Sequence, residues 1–369
     1  MSLECWKQVL DAGIKQNQTP LNAQQLKVFS HLMACQTEQA GSEVYACTHC
    51  GFQLRVNRSC RDRHCPGCQY RATQQWCELR RADVLPVTYY HLVFTLPHKL
   101  NGWVSCYPGE IYQWLFESVW QTLNTFGHSP KRLNGQVGVM AVLHTWGQTL
   151  TRHVHLHCLV PGGALTQSGE WHAATSSYLF PVKALSRHYR GRMVSQLRQA
   201  RKSGLLELID NQSFDQTLNQ LMNSDWNVYA KAASYGHDKL INYLGRYTRK
   251  IALTPNRLDN FNGELVDLKY RDYRNNQQKV MQLAPSELIR RFALHVLPKG
   301  FMRIRYYGYL ANAVCRKKLK VIRAALSVEP VAIEKAEECH ELTVLACPQC
   351  GQNQWHFIGM SRRLHWEPG

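Results

Sequence analysis

No stretch of this sequence approaches the roughly 20 consecutive apolar residues needed to cross a membrane, so no membrane role is expected. Residues 1–10 carry Glu4 and Lys7 and no long apolar run, which argues against a secretory signal there. Tandem repeats and low-complexity segments are absent. No Gly-x-x-x-x-Gly-Lys phosphate loop is present, so no nucleotide-driven motor of that type is expected here. Acidic side chains are scarce: 26 Asp and Glu stand against 44 Lys and Arg, for a net charge of +18. The excess is spread along the chain and not gathered in a tail, which points to a folded protein that meets a polyanion, with nucleic acid first. The 369 residues, 44% hydrophobic and 10% aromatic, can bury a large core in two or three domains.

The 14 cysteines crowd towards the two ends and leave much of the middle nearly free of them. Such clustering, with repeated C-x-x-C spacing, fits reduced thiols on zinc better than secreted disulfides. Cys47-x-x-Cys50 and Cys65-x-x-Cys68 flank residues 51–64 and read as the two knuckles of one four-sulfur site. Cys35, Cys60, His31 and His64 lie close by and offer ligands for a second zinc, the alternative for Cys35 and Cys60 being buried thiols. Arg55, Arg58, Arg61 and Arg63 share this module, which is expected to fold on metal and to grip DNA. Near the other end, Cys347-Pro-Gln-Cys350-Gly has the form of a zinc-ribbon knuckle; Cys339 and His340 upstream and His356 downstream are its nearest further ligands.

Between these regions the pattern is α+β. Residues 3–34 have apolar positions at helical spacing, and residues 70–82 read as a helix leaving the cysteine module. Residues 89–96 (YYHLVFTL) form a β-branched and aromatic strand stopped by Pro97. A helix is expected over 109–125, and two strands over 137–146 and 154–160 joined by a polar turn. Helices follow over 185–208, 214–222 and 239–247, then a hairpin from 266–273 and 279–283, then a helix over 286–297. Alternating strands and helices with hairpin-type pairs indicate an α+β middle domain.

Two short patterns carry chemistry. His155-Leu156-His157 lies in an apolar strand, where residues i and i+2 share a face, so both imidazoles can reach one ion while Leu156 and Cys158 point the other way. A turn centred on 149–151 would set His144 opposite His155 as a third ligand; Gln148 and His153 are weaker candidates. Imidazole donors suit zinc, whereas a site that handles phosphate usually holds Mg2+ or Mn2+, so both remain open. Tyr243 and Tyr247 stand at i and i+4 on a helix face, with Lys239 one turn earlier on the same stripe. A nearby cation and a metal-polarised phosphate would activate such a hydroxyl. Arg246, Arg249 and Lys250 crowd the same segment, which suits a phosphate backbone.

At this point the sequence resembles the insertion sequence 91 family of rolling-circle transposases, members of the histidine-hydrophobe-histidine (HUH) endonucleases. The matching stretches are NRSCRDRHCPGCQ (57–69), VFTLPHKLN (93–101), LHTWGQTLTRHVHLHCLVPGG (143–163), YLGRYTRKIAL (243–253) and RRFALHVLPKGFMRIRYYG (290–308). The resemblance implies an amino-terminal zinc-binding region and a nuclease domain with a central antiparallel sheet and helices. It implies metal-dependent cleavage of single-stranded DNA, with His155 and His157 as the paired histidines and Tyr243 and Tyr247 as the two nucleophiles. It also implies bacterial, nucleoid-associated cytoplasm, transposon ends and target DNA as partners, and host helicase or replication factors.

The segment 299–320 interleaves Arg303, Arg305 and further cations with Phe301, Tyr306, Tyr307 and Tyr309, a composition suited to single-stranded DNA. The expected organisation is a zinc-binding recognition module over 1–85, the nuclease domain over 86–330 and a zinc-knuckle tail over 331–369. A plasmid replication initiator or relaxase, and a non-catalytic zinc-dependent DNA-binding protein, are the competing readings.

Overall fold

The computed structural model describes residues 3–16, 20–81, 83–175, 178–233, 245, 252–328 and 345–361. The chain divides into two compact units. One gathers Met1–Thr73, Leu253–Val296 and Ala332–Gly369, and the other Gln74–Ala252 and Leu297–Val331. Boundaries at 85 and 330 would instead cut the chain into consecutive segments; pairing between distant stretches is what regroups them.

The second unit is built on a five-stranded antiparallel sheet, as the resemblance implies. Its strands are β1 (Tyr89–Thr95), β2 (Gly138–Trp146), β3 (Arg152–Pro161), β4 (Val228–Ala233) and β5 (Ile304–Gly308), in the order β5-β2-β3-β1-β4. The alternation of β3 explains its place at the centre. Val154, Leu156, Cys158 and Val160 are all buried in the main core, with Leu156 at 0% exposure. Helices Pro108–His128 and Val182–Lys202 cover that face with Ile111, Leu115, Phe116, Tyr189, Met193 and Leu197. The first of these helices starts on a proline, which has no amide hydrogen to leave unpaired, and carries Glu110 in its first turn and His128 in its last, matching the helix dipole. On the other face a smaller cluster of Tyr89, Met140, Val142 and Leu159 packs with Trp76, and the histidines of β1, β2 and β3 share that face.

The strand β5 was not expected, since residues 299–320 read as a basic segment; Ile304 pairs with Val142 and Tyr306 with Met140 at the sheet edge. Apart from residue 245, the expected helix over 239–247 lies outside the described residues.

In the first unit, helix Leu3–Gln16 packs on helix Pro285–Ala293, nearly 300 residues later in the chain. The ring of Phe292 meets Trp6 at 6.1 Å and Phe29 at 5.7 Å, and Gln25 Nε2 donates to Ala293 O at 2.9 Å. A three-stranded sheet places Ser42–Cys47 between Gln53–Asn57 and Trp355–Met360. The expected hairpin forms from Val266–Asp272 and Gln277–Leu283.

Leu156 separates His155 and His157 in sequence and fills the opposite face. Leu156→Ala is expected to lower unfolding stability by about 2–5 kcal/mol, the usual cost of truncating a buried leucine. Denaturant titration checks this, and an unchanged midpoint would contradict the inward placement.

Candidate functional site

The β2–β3 hairpin aligns His144 directly with His155, and Val142 with His157. Its turn is closed by Gly147 N donating to Thr151 O at 3.0 Å. The expected turn thus forms slightly earlier, and the register shifts between His144 and Trp146. Candidate ligand atoms of His144, His155 and His157 all lie within 4.8 Å of one another. His144 is 3% exposed, and its ring stacks on Trp146 at 4.8 Å; His155 and His157 are half-buried.

Hydrogen bonds orient these rings. His155 Nδ1 lies 2.8 Å from His153 O. A carbonyl only accepts, so Nδ1 carries the proton and the lone pair of a neutral ring sits on Nε2. His157 Nδ1 lies 2.8 Å from His91 Nε2 on the neighbouring strand β1. Burial lowers the pKa of His91 to about 4, so its imidazole is neutral at ordinary pH. The donor set therefore fits an ion bound by three imidazoles, with positions left for exchangeable ligands. His153 turns instead to His98, Nδ1 to Nε2 at 3.0 Å, and Gln148 lies in the turn.

His91 escaped the sequence analysis. Its only local signal is a polar residue inside the apolar run YYHLVFTL, on the same face as Tyr89. Lys239, Tyr243, Arg246, Tyr247, Arg249 and Lys250 lie outside the described residues, as do Cys339 and His340.

The cysteines form two four-sulfur clusters with different partners from those the spacing suggests. Cys35, Cys60, Cys65 and Cys68 make one, and Cys47, Cys50, Cys347 and Cys350 the other. The pairing of the 47/50 knuckle with the 65/68 knuckle is thus corrected. Strand Trp355–Met360 pairs with Ser42–Cys47 and carries the carboxyl-terminal knuckle to the amino-terminal one. The two knuckles have the same backbone: Gly51 N donates to Cys47 O, and Gly351 N to Cys347 O. Gly51 and Gly351 have φ of +75° and +76°, a left-handed turn that glycine adopts without strain. In the other cluster Cys65 and Cys68 lie at the start of helix Pro66–Arg81 and meet Cys35, just past helix Ala23–Ala34.

A tetrahedral zinc with bonds of about 2.3 Å sets its sulfurs about 3.8 Å apart. The separations are 3.7 Å for Cys35–Cys68, 3.6 Å for Cys60–Cys68 and Cys35–Cys65, and 3.6 Å for Cys47–Cys350 and Cys50–Cys347. These are far from a disulfide bond length of about 2.05 Å. Amides of Cys60, Arg61 and Asp62 point at sulfurs at 3.5, 3.3 and 3.4 Å, which stabilises thiolates. His31 and His64 do not enter either cluster. Their Nδ1 atoms meet the two carboxylate oxygens of Asp62 at 3.0 and 2.9 Å. Burial raises the Asp62 pKa, but the hydrogen bonds from His64 and His31 outweigh it and hold the carboxyl down at about 2.

Of the expected DNA-binding cations, Arg61 is exposed and Arg63 half-buried beside the cluster. Arg305 turns towards the helix-covered face, its guanidinium 4.2 Å from the Phe116 ring centre and 4.9 Å from that of Phe301, while donating to Gln113 Oε1 at 2.6 Å. Arg303 offers its carbonyl to Leu143 N at 2.9 Å.

Residues 5–96 match the family described as "Transposase zinc-binding domain", and residues 138–318 the family described as "Putative transposase". A protein of Sinorhizobium fredii named "Putative transposase y4qJ" is 39% identical over 355 residues, covering 91% of this chain and 89% of its own length. The chain belongs to the insertion sequence 91 family of transposases. "Transposase for insertion sequence element IS801" of Pseudomonas savastanoi pv. phaseolicola is 27% identical over 338 residues, covering 88% of this chain and 78% of its own. This transposase is therefore a DNA-cleaving enzyme. Its zinc-binding domain and its two four-sulfur clusters support structural zinc. Among the described residues no helix is long and apolar enough to cross a membrane.

Two closed clusters predict two zinc ions per chain by elemental analysis. Replacing Cys347 and Cys350 together with serine should remove one and leave the other. A count unchanged by that double substitution would contradict the shared site.

Proposed function

We propose that this transposase nicks and rejoins single-stranded DNA through tyrosine nucleophiles, as an HUH endonuclease of the two-tyrosine type, and moves its element by rolling-circle transposition. The observation that carries the reading is the set of three imidazoles on one sheet face, two of them separated by a single core residue. His144, His155 and His157 would hold Mg2+ or Mn2+. That ion, when bound, polarises the scissile phosphate and stabilises charge that develops on its oxygens.

Tyr243 or Tyr247 supplies the nucleophile. Its hydroxyl loses a proton and its oxygen forms a bond to phosphorus, while the bond from phosphorus to the 3′-oxygen breaks. The departing oxygen takes a proton, which leaves a 3′-hydroxyl strand and a 5′-phosphotyrosine. A second 3′-hydroxyl can then displace the tyrosine, so rejoining needs no ATP. Lys239, four residues before Tyr243 in the sequence, favours the phenolate. Two tyrosines permit two transfers in sequence. Arg246, Arg249 and Lys250 neutralise backbone phosphates near the nucleophiles, and the zinc-bearing region, with Arg61 and Arg63, reads the transposon ends. The reaction takes place on bacterial DNA in the cytoplasm, with a host helicase supplying the unwinding.

Incubating the protein with a single-stranded oligonucleotide from the element's end, and with Mg2+ or Mn2+, should give a covalent adduct on a denaturing gel. Tyr243→Phe combined with Tyr247→Phe should abolish it. His155→Ala should reduce it by more than the roughly 10–100-fold that loss of an outer-shell partner costs. Tight binding of the strand with no adduct under either metal would favour a non-catalytic DNA-binding protein instead.

A further inference from the structure

We infer that His91 is a positioning residue that fixes which nitrogen of His157 faces the metal, an inference that rests on the metal reading of the three-imidazole site. A neutral imidazole has one N–H and one lone pair, and only the lone pair can bind an ion. For His155 the choice is forced by the backbone, because His153 O at 2.8 Å can only accept. At the Nδ1 of His157 the neighbour is His91 Nε2, at 2.8 Å. One of these two nitrogens must hold the shared proton. If His91 donates it, His157 carries its own proton on Nε2 and that atom cannot ligate. If His157 donates, its Nε2 lone pair is presented to the site. Ligation through Nε2 therefore requires His91 to act as the acceptor, with its own proton on Nδ1.

The setting of His91 supports this role. It is 8% exposed and lies on β1, between β3 and β4, where its backbone neighbours are Leu159 and Lys231. Its ring is nearly parallel to that of His157, at 11°, and Tyr229 meets it edge-on at 6.3 Å. Along the same face of β1 the flanking residues are Tyr89 and Val93, so an apolar side chain would suit packing here. A buried imidazole costs free energy unless its nitrogens are bonded. The second acceptor comes from a strand 66 residues away in sequence, so the same sheet pairing that builds the site also sets its tautomer.

The test uses the full-length zinc-loaded protein, labelled with 15N-histidine and free of added divalent metal. Long-range imidazole correlations in the NMR spectrum, assigned to His157 by comparison with His157→Gln, should show the proton on Nδ1. In His91→Phe the proton should move to Nε2. Mn2+ affinity, followed by electron paramagnetic resonance, should fall about 10–100-fold in His91→Phe, as for loss of other outer-shell partners. His91→Gln, whose Oε1 can accept at the position of Nε2, should recover most of it. Unchanged zinc content and circular dichroism confirm that the variants fold. A proton on Nε2 of His157 in the wild-type protein would overturn the inference, whether or not any variant folds. Equal Mn2+ affinity in all three folded proteins would overturn it as well. A wild-type protein that binds no Mn2+ would instead count against the metal reading itself, and the tautomer measurement would still decide the role of His91.

Discussion

The pairing of His144 with His155 is the contact on which the site depends. Side chains alternate across a strand, so a slip of one residue in β3 would bury both imidazoles and expose Leu156 and Cys158. The register is held from two sides. The apolar row of β3 closes the main core against two long helices, and the short turn from Gly147 to Thr151 fixes where the strands begin to pair. Packing and ligation thus specify the same geometry, and the imidazoles stand on a rigid sheet and not on a loop.

What could be read from the sequence was what is local. The two strands of the hairpin, the shared face of His155 and His157, and the position of His144 opposite them all follow from a two-residue period and one short turn. The cysteine knuckles were equally legible, each as a four-residue motif. Their partners were not, because strand pairing between residues about 300 apart leaves no mark in spacing. His91 was missed for the same reason: its partner comes from another strand. Residues 304–308 were read from composition alone, and the strand they form was not expected. Arg305, Tyr306 and Tyr307 have the composition of a strand-binding segment, yet they alternate as an edge strand, and Arg305 lies over two phenylalanine rings.

The donor sets would divide the labour between the candidate metal positions. Four thiolates close a tetrahedron and leave nothing for a substrate, so such a site contributes folding free energy and little chemistry. Three imidazoles leave coordination positions open. The cluster of Cys47, Cys50, Cys347 and Cys350 would also compensate for thin local structure: the strands it joins are only five or six residues long, and several of their side chains are exposed. Without the knuckles, those strands would have little apolar area to hold them together.

The clasp between Cys50 and Cys347 spans 297 positions of the chain. At about 5–20 residues per second, a ribosome needs roughly 15–60 s to travel from one knuckle to the other. For most of that interval the first cluster has all four of its cysteines, while the second has only two. The sheet module can therefore close only late in synthesis, and a truncated product would leave Cys47 and Cys50 half-coordinated. Completion of the clasp thus doubles as a record that the ribosome has passed through the whole nuclease region.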